Sequence, residues 1–353
     1  MPSFFAKHLL LWHQQNPRPL PWSNGTRSPY HIWLSEIIMQ QTRIEQGSSY
    51  YIRFVNRYPA IDSLANAPID DVMHLWEGLG YYTRARNMHK AAKYIVDELD
   101  SRFPDSYETL LALPGIGPYS AAAIASFAYG HRHAVVDGNV KRLISRFAGI
   151  TESIDNTATH EHIHSIATDY MKGVPSDVFN QAIMNFGALV CKPKPLCNVC
   201  PLTKKCYAFQ HNLVSVIPVR SKKKELRNRF FNFVVMQHNG SVLMQRRSEN
   251  DIWKDLYSFP FLEKKSTRAP LQNELALFVN SLLGNNSTTL IEKNPAVYQQ
   301  LLSHQRIRGR FFKYKTNKTA PAPAGYAWIP INMLSNYGKP RMIVDYLTKK
   351  QLL

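Results

Sequence analysis

The sequence predicts two domains of different fold class, an all-α domain followed by an α+β domain. Over residues 1–210, apolar side chains recur at helical spacing between Gly- and Pro-containing breaks. From residue 230 the pattern changes to short runs of alternating polarity around an Asn-Gly turn, which predicts strands over 230–353. The segment 211–229 contains SKKKELRNR, which has five basic residues against one acid and no apolar periodicity. We interpret this segment as a basic linker, solvated or lying along phosphates.

Charge and cysteine content limit the class of protein. The chain has 353 residues, long enough for two cores, and its net charge of +18 favours a polyanionic partner such as nucleic acid. A generally basic soluble protein is the alternative. The four cysteines all lie between Cys191 and Cys206, which favours a metal site in a reducing compartment over a disulfide framework. No apolar run approaches the roughly 18–20 residues of a membrane span, so we expect a cytoplasmic monomer without a membrane partner.

The first predicted helices carry one acid within an apolar pattern. The N-terminus reads as an amphipathic helix without a signal-peptide cleavage site. Ser28 followed by Pro29 predicts the start of the next helix. In that helix Glu36 interrupts the apolar stripe that contains Trp33 and Met39. An exposed Glu at the edge of the stripe and a functional Glu fit this pattern equally.

A break in the helical pattern places two tyrosines side by side. Gly78 and Gly80 interrupt the pattern, which resumes at helical spacing from Ala85. Tyr81 and Tyr82 stand at this break, where aromatic rings could wedge between stacked bases. Packing between helices is the alternative, and the spacing alone favours it.

The stretch from Leu113 to Asn139 predicts a tight helix–turn–helix hairpin followed by an acid. Gly115 and Gly117 lie between two helical segments; both allow backbone angles that other residues resist, and both leave no side chain in the way of a close neighbour. The N–H groups that open the second helix would then be free to hold a phosphate. Asp137 follows about twenty residues later at the start of a further helix, as an N-cap, a functional acid or both. A phosphate-binding turn and a nearby carboxylate suggest an enzyme that acts on nucleic acid.

The cysteines have the spacing of metal ligands. The pattern Cys191-x5-Cys197-x2-Cys200-x5-Cys206 contains one Cys-x2-Cys pair flanked by two single cysteines. Zinc sites more often contain two such pairs, so the spacing favours a [4Fe-4S] cluster and leaves zinc open.

The second half predicts a hairpin, a helix and further strands. FFNFVVMQ and SVLMQRR flank an Asn-Gly turn, and LQNELALFVNSLLG reads as a helix closed by Gly284. QRIRGRFFKY and AGYAWIPI read as strands, so this domain is α+β.

Taken with these patterns, LPGIG followed by VVDGN resembles the helix-hairpin-helix DNA glycosylase superfamily. The segment LSEIIMQQT, the four-cysteine loop and WKDLYSFPFLE make the sequence similar to the adenine DNA glycosylases (the MutY family) over nearly the whole chain. The resemblance implies an all-α helix-hairpin-helix glycosylase domain with a four-Cys iron–sulfur loop, followed by an α+β Nudix-like C-terminal domain. The Glu-rich metal-binding box of Nudix hydrolases is missing, so we expect this domain to read DNA.

The resemblance also implies roles for single residues. Glu36 corresponds to the acid that protonates the flipped adenine, and Asp137 to the aspartate that stabilises the sugar cation. Gln181 occupies a position where some relatives carry Glu. Leu302-Ser303-His304 is similar to a Phe-Ser-His loop that probes 8-oxoguanine. Tyr119 and Asn139 match further active-site positions, and the positions expected to contact DNA are Gln41, Tyr81, Tyr82, Gly115, Gly117, Ser120, Ser303 and His304.

Cleavage of an N-glycosidic bond needs two acids, one protonated and one ionised. One acid must stay neutral to protonate the leaving base, and the other must stay ionised beside the developing sugar cation. Apolar neighbours favour the neutral form of Glu36, and the amide dipoles of a helix N-terminus favour the anion of Asp137.

Two departures from related sequences bear on the expected reaction. Endonuclease III-type enzymes carry a nucleophilic Lys after the hairpin, a position assigned here to Ser120, so no Schiff base and a monofunctional glycosylase are expected. The first gap between cysteines is five residues, where the family usually has six, which indicates a shortened loop.

We therefore expect a DNA repair hydrolase that removes adenine opposite 8-oxoguanine or G in double-stranded DNA. An endonuclease III-type glycosylase/lyase acting on oxidised pyrimidines is the enzyme alternative. A non-catalytic iron–sulfur or zinc DNA-binding protein is the alternative from another class.

Overall fold

The computed structural model describes residues 2–22, 28–221, 225–248, 251–284, 288–292, 295–316 and 321–352. The chain forms two compact units, the first containing Met1–Asn66 and Asn87–Lys223, the second Ala67–Arg86 and Lys224–Leu353. Residues 67–86 thus belong to the second unit, although the sequence placed them in the helical domain. Within the predicted linker, Lys222–Lys224 lie outside the described residues.

The first unit is helical, as the sequence predicts. Its first helix is amphipathic and buries Phe5 and Leu9, which confirms the interpretation of the N-terminal pattern. The helix α6 contains residues of both units, and α5 lies in the second. The helices are α1 Phe4–Gln15, α2 Pro29–Met39, α3 Ile44–Arg57, α4 Ile61–Ala65, α5 Ile69–Leu75, α6 Thr83–Glu98, α7 Tyr107–Leu111, α8 Pro118–Tyr129, α9 Gly138–Ala148, α10 Thr157–Tyr170, α11 Ser176–Leu189 and α12 Tyr207–Gln210.

A continuous apolar core joins α1, α9, α10 and α11. Its members include Leu9, Ile144, Ile163 and Phe186, none of which exposes more than a trace of surface. Burial of such side chains contributes roughly 1.5–3 kcal/mol each. This core fixes α9 and α11, which form one wall of the cleft described below.

The second unit contains a mixed sheet of eight described strands. The order is β3-β2-β1-β7-β5, with β1 parallel to β7, while β4 pairs with β1, β6 with β7 and β8 with β2. The predicted β1–β2 hairpin is confirmed, and its turn residues Asn239 and Gly240 both have positive φ, as a type I′ turn requires. The strands are β1 Arg227–His238, β2 Ser241–Arg246, β3 Tyr257–Ser258, β4 Phe261–Lys264, β5 Thr288–Leu290, β6 Tyr298–Leu301, β7 Gln305–Thr316 and β8 Tyr326–Pro330.

In the described part of this unit, helices cover both faces of the sheet, since successive side chains of a strand point to opposite faces. Val234 and Phe312 pack with the helix α13 Gln272–Leu283, which ends at Gly284 as predicted. On the alternate positions, Phe311 stacks on Tyr346 of α14 Arg341–Lys349 with ring centroids 4.1 Å apart. The sequence did not predict α14.

Within the described residues, no helix is long and apolar enough to cross a membrane.

Candidate active site and nucleic-acid interface

A large open cleft of about 1210 Å³ lies within the first unit. Its walls come from α2, the turn between α7 and α8, the start of α9, and α11. The cleft brings together many of the residues that the sequence singled out, namely Glu36, Gln41, Gly115, Gly117, Tyr119, Ser120, Asp137, Asn139 and Gln181.

Glu36, the acid of α2, lines the cleft together with the apolar residues Ile32 and Met39 of the same helix. Ser28 caps the helix as predicted, since its hydroxyl accepts from the His31 N–H at 3.4 Å. Glu36 is half-buried, next to the buried Trp33. Burial raises the pKa of Glu36 to about 7, the charge of Asp137 adds to the rise, and a hydrogen bond with Tyr119 acts against it. A carboxyl with this pKa is partly protonated at neutral pH, which suits a proton donor.

Tyr119 interacts with both acids of the cleft. Its pKa lies well above the ordinary value, because of burial and then the nearby charges of Glu36 and Asp137. The phenol therefore keeps its proton and donates it in the hydrogen bond to Glu36.

The second acid is held by hydrogen-bond donors at the start of α9. The carboxylate of Asp137 accepts from the N–H groups of Asn139 at 2.8 Å and Val140 at 2.7 Å, which confirms the predicted N-cap. The side-chain amide of Asn139 donates to the other carboxylate oxygen at 2.7 Å. Arg142 in turn donates to Asn139 Oδ1 at 2.9 Å and to the carbonyl of Gly187 at 2.8 Å. These donors hold the carboxylate in one orientation.

Sequence reasoning missed Arg142. Its side chain is buried, and its Nε also donates to the Cys191 carbonyl at 2.7 Å. One feature of the sequence could have identified Arg142: it follows Asn139 by three residues, and this spacing places both side chains on one face of a helix.

The two hairpin glycines differ in conformation. Gly115 has φ of +79°, and a Cβ there would lie 2.6 Å from Asn87 Cβ, so glycine is required. Gly117 has φ of −99°, and nothing lies within 4 Å of the position of its Cβ. Gly117 therefore does not use the backbone freedom of glycine. Its exposed position at the N-terminus of α8 instead leaves space beside the amides that open this helix.

Ser120 is less accessible than its predicted contact with DNA requires. It is 2% exposed, and the Gln40 side chain donates to its hydroxyl at 3.0 Å. Because the hydroxyl is buried in the cleft wall, the structure does not place it in reach of a phosphate. The lysine of LPGxGxK is the seventh residue of that motif, and the seventh residue here is Tyr119. The assignment of the lysine position to Ser120 was therefore wrong by one residue. Neither position carries an amine, so the inference about a Schiff base is unchanged.

The predicted wedge residues separate into exposed and buried side chains. Gln41 is exposed and has a left-handed φ of 55° at the end of α2. In the second unit, Tyr81 is 47% exposed and Tyr82 is 7% exposed. The Tyr82 hydroxyl donates to the Lys339 carbonyl at 3.1 Å, so this ring packs inside the unit and the prediction of a DNA contact is wrong for Tyr82. Tyr81 is the member of the pair that faces outward.

Ser303 and His304 are exposed in the turn between β6 and β7, which agrees with the loop that the family resemblance implies there. The Leu302 N–H donates to the Gln305 carbonyl at 2.8 Å and closes this turn. The Ser303 hydroxyl lies 2.5 Å from that of Tyr81. The second unit therefore places one exposed aromatic ring beside one exposed hydroxyl.

The four cysteines line one small apolar cavity between α9 and the loop that follows α11. Arg146, buried in α9, donates to the carbonyls of Lys192 and Pro193 at 2.7 and 3.1 Å, and its Nη1 lies 3.5 Å from Cys191 Sγ. These bonds fix the short loop between the first two cysteines. Within the described residues, no three His, Cys, Asp or Glu side chains are grouped closely enough to hold a metal ion.

Comparison with known proteins agrees with this architecture. Residues 34–168 match the HhH-GPD superfamily of base excision DNA repair proteins, and residues 232–349 match the NUDIX domain. The adenine DNA glycosylase of Buchnera aphidicola subsp. Baizongia pistaciae is 34% identical over 292 residues, 79% of this chain and 82% of that protein. The adenine DNA glycosylase of Mus musculus is 38% identical over 233 residues, 63% of this chain and 45% of that protein.

Among solved structures, a thermostable thymine-DNA glycosylase has a TM-score of 0.54 at 28% identity, and the match covers 59% of this chain and 95% of that one. A non-covalent endonuclease III–DNA complex has a TM-score of 0.50 at 20% identity over 60% of this chain and 95% of that one, which shows a shared fold.

The helical fold and the two acids on one cleft define a base excision DNA repair enzyme of the helix-hairpin-helix superfamily, a DNA N-glycosylase. Within that superfamily, the chain belongs to the adenine DNA glycosylase family. The predictions of family, fold class and type of enzyme are confirmed.

Proposed function

We propose that the protein removes adenine mispaired with 8-oxoguanine or G from double-stranded DNA by hydrolysis of the N-glycosidic bond. The observation that carries this proposal is the pair of acids on one cleft, Glu36 with a pKa near 7 and Asp137 held by three donors. The adenine must leave the base stack to reach them, at a cost of roughly a few kcal/mol. The described lining residues of the cleft come from the first unit, and we propose that the protein acts as a monomer.

The first step moves a proton and breaks one bond. Protonated Glu36 donates its proton to the extruded adenine, and the electron pair of the glycosidic bond leaves with the base. Positive charge then develops at the sugar. The anion of Asp137 stabilises this charge, and its fixed donors keep it oriented without reorganisation during the reaction.

In the second step the oxygen of a water molecule bonds to the sugar cation, and the Glu36 carboxylate left by the first step accepts the proton that this water loses. Neither Tyr119 nor Ser120 provides an amine for attack on the sugar carbon, which supports a monofunctional enzyme. Lys141 is the lysine among the described lining residues, and its Nζ donates to the Ile154 carbonyl at 3.2 Å. Borohydride should therefore trap at most a minor fraction of the substrate as a covalent adduct; trapping of most of it would indicate a lyase.

We assign recognition of the opposite base to the β6–β7 turn. Ser303 and His304 are exposed there, and both can hydrogen-bond a base edge. Replacing both with Ala should erode the preference for adenine opposite 8-oxoguanine over adenine opposite G. Equal losses on the two duplexes would contradict this assignment.

We infer that Cys191, Cys197, Cys200 and Cys206 bind a [4Fe-4S] cluster. They line one cavity, and their spacing, a single Cys-x2-Cys pair flanked by two single cysteines, favours an iron–sulfur cluster over zinc. When bound, the cluster would brace the loop next to α9. Metal analysis of the purified protein should find iron and sulfide; zinc without visible absorbance would overturn this inference.

The experiment that tests the proposed function is base release from four duplexes, with adenine opposite 8-oxoguanine, G, T or C. Release should be fastest opposite 8-oxoguanine and next opposite G. Release of an oxidised pyrimidine instead, with strand cleavage, would favour the endonuclease III-type alternative.

A further inference from the structure

The second unit contains a buried ion pair that lies outside the cleft. Lys339 Nζ is 3.3 Å from Glu77 Oε1, and the two side chains are 0% and 19% exposed. The ammonium also donates to the carbonyls of Leu334 at 2.7 Å and Tyr337 at 2.5 Å, so its three protons have three acceptors. A buried charge of this kind is costly unless every partner is present.

Backbone contacts join the same two segments. The Lys339 N–H donates to Glu77 Oε1 at 3.1 Å, and the Lys339 carbonyl accepts from the Tyr82 hydroxyl at 3.1 Å. A Cβ on Gly338 would lie 3.1 Å from the Met73 backbone, so glycine permits this close approach. Residues 77 and 82 are therefore both bound to one short stretch of the C-terminal chain.

The loop held in this way carries the exposed wedge residue. Tyr81 has a left-handed φ of 49° and directly precedes the bound Tyr82. On its other side, the Gly80 carbonyl accepts from Trp76 Nε1 at 2.9 Å and Arg84 Nη2 at 3.3 Å. With both neighbours bound, the Tyr81 hydroxyl lies 2.5 Å from that of Ser303.

We propose that Glu77 and Lys339 are positioning residues that fix Tyr81 beside Ser303 and thereby set the preference for 8-oxoguanine over G as the opposite base. This proposal rests on the function proposed above. Glu77 and Lys339 do not touch the base themselves; they act through the loop 78–82.

A second ion pair made by the segment 67–86, in this case with strand β2, provides a matched control. Asp70 and Arg246 lie 3.2 Å apart, but their side chains are 43% and 41% exposed. Exposed pairs of this kind contribute little to stability. Glu77→Gln and Asp70→Asn make the same change of carboxylate to amide in the same segment, and Glu77→Gln keeps an acceptor for the Lys339 N–H.

The main readout is the ratio of single-turnover rates with adenine opposite 8-oxoguanine and opposite G. Glu77→Gln should lower this ratio by about fivefold or more, whereas Asp70→Asn should keep it within about twofold. An equal loss of base release opposite every partner base, or the same ratio in both variants, would overturn the proposal.

A variant that lacks the Tyr81–Ser303 contact tests whether Glu77 acts on the rate ratio through this contact. In the Tyr81→Phe/Ser303→Ala protein, adding Glu77→Gln should leave the ratio unchanged, because residues that act through one contact are not additive. A further fall of the same size would show that Glu77 acts by another route and would overturn the proposal.

Hydrogen exchange of the DNA-free protein separates this proposal from the proposed function. Amides of residues 78–86 should exchange faster in Glu77→Gln than in the parent, and Asp70→Asn should match the parent. A parent protein without preference for 8-oxoguanine would contradict the proposed function. If residues 78–86 exchange at the same rate in Glu77→Gln and in the parent, the positioning role of Glu77 is wrong, whatever the substrate preference of the parent.

Discussion

Two carboxylates of one cleft differ because their surroundings differ. Glu36 lies on a helix among buried apolar residues and has a raised pKa, while Asp137 accepts backbone N–H groups at a helix N-terminus. Desolvation favours the neutral form of Glu36, and the oriented donors hold the Asp137 carboxylate in place. The proton donor and the oriented carboxylate are thus positioned by local structure before DNA binds.

The raised pKa of Glu36, about 7, predicts the pH dependence of base release. The donor must be protonated, so the single-turnover rate should be highest below pH 7 and should fall about tenfold per pH unit well above it. The measurement is the single-turnover rate across this range at constant ionic strength. A rate that rises with pH through neutrality would contradict the role of Glu36 as acid.

The same pKa predicts a cost in stability. Because the folded pKa of Glu36 lies above its unfolded value of 4.5, the parent loses stability as pH rises from the unfolded value through about 7. Glu36→Gln avoids this loss, so it should be more stable than the parent at pH 8 by about 1–3 kcal/mol and similar near pH 4.5. Denaturant unfolding at the two pH values measures the difference. An equal difference at both would contradict the pKa shift.

Asp137 has two roles that substitutions separate. Asn is a good N-cap, so Asp137→Asn should keep stability while base release falls by about 10²–10³-fold, because the anion is lost. Asp137→Ala should lose activity to the same extent and also about 1 kcal/mol of stability, because the cap is lost. Single-turnover rates and thermal unfolding of both variants give the comparison. Substantial activity in Asp137→Asn would leave only the structural role.

At the scale of elements, the hairpin between α7 and α8 contains two glycines with different roles. Gly115 adopts a left-handed backbone conformation, and Gly117 leaves open space at the start of α8. Gly115→Ala should cost about 1–3 kcal/mol, because its φ is +79° and its Cβ would meet Asn87. Gly117→Ala should fold with the parent's stability, because its φ is −99° and its surroundings are open, but should bind DNA more weakly if a phosphate approaches there. Thermal unfolding and binding to duplex DNA measure both variants. Equal stabilities would contradict the assignment.

Elements whose signals are local were predictable from sequence. Ser28 and Pro29 start α2, Asn239 and Gly240 make the hairpin turn, and Gly284 ends α13, each by a rule that needs only neighbouring residues. The helix α14 was missed. Its apolar side chains contact strands that lie far away in the sequence, and the sheet order that creates this contact has no local signal.

For the whole molecule, the division of the chain could not be predicted. The segment 67–86 reads as part of a helical run, yet it belongs to the second unit. The contacts responsible, such as Glu77 with Lys339 and Arg86 with the Lys254 carbonyl, join residues more than 160 positions apart. Tyr82 is likewise buried by a contact with a distant residue, Lys339, so the sequence could not predict that Tyr82 is buried and Tyr81 exposed.

The candidate site was more predictable than the division into units. Glu36 and Asp137 lie about a hundred residues apart in sequence, and the family resemblance paired them before the fold placed both on one cleft. The supporting residues were not found, because Gln40 and Arg142 act through hydrogen bonds that only the folded chain creates.

The most direct measurement of the central claim compares Glu36→Gln with the parent on a duplex that contains adenine opposite 8-oxoguanine. Binding affinity and the rate of adenine release are measured on the same preparation. The two-acid mechanism predicts that Glu36→Gln binds this duplex as tightly as the parent, while adenine release falls by about 10²-fold or more. Release at the parent's rate by Glu36→Gln would contradict the mechanism, and a parent that binds without releasing adenine would indicate a non-catalytic DNA-binding protein.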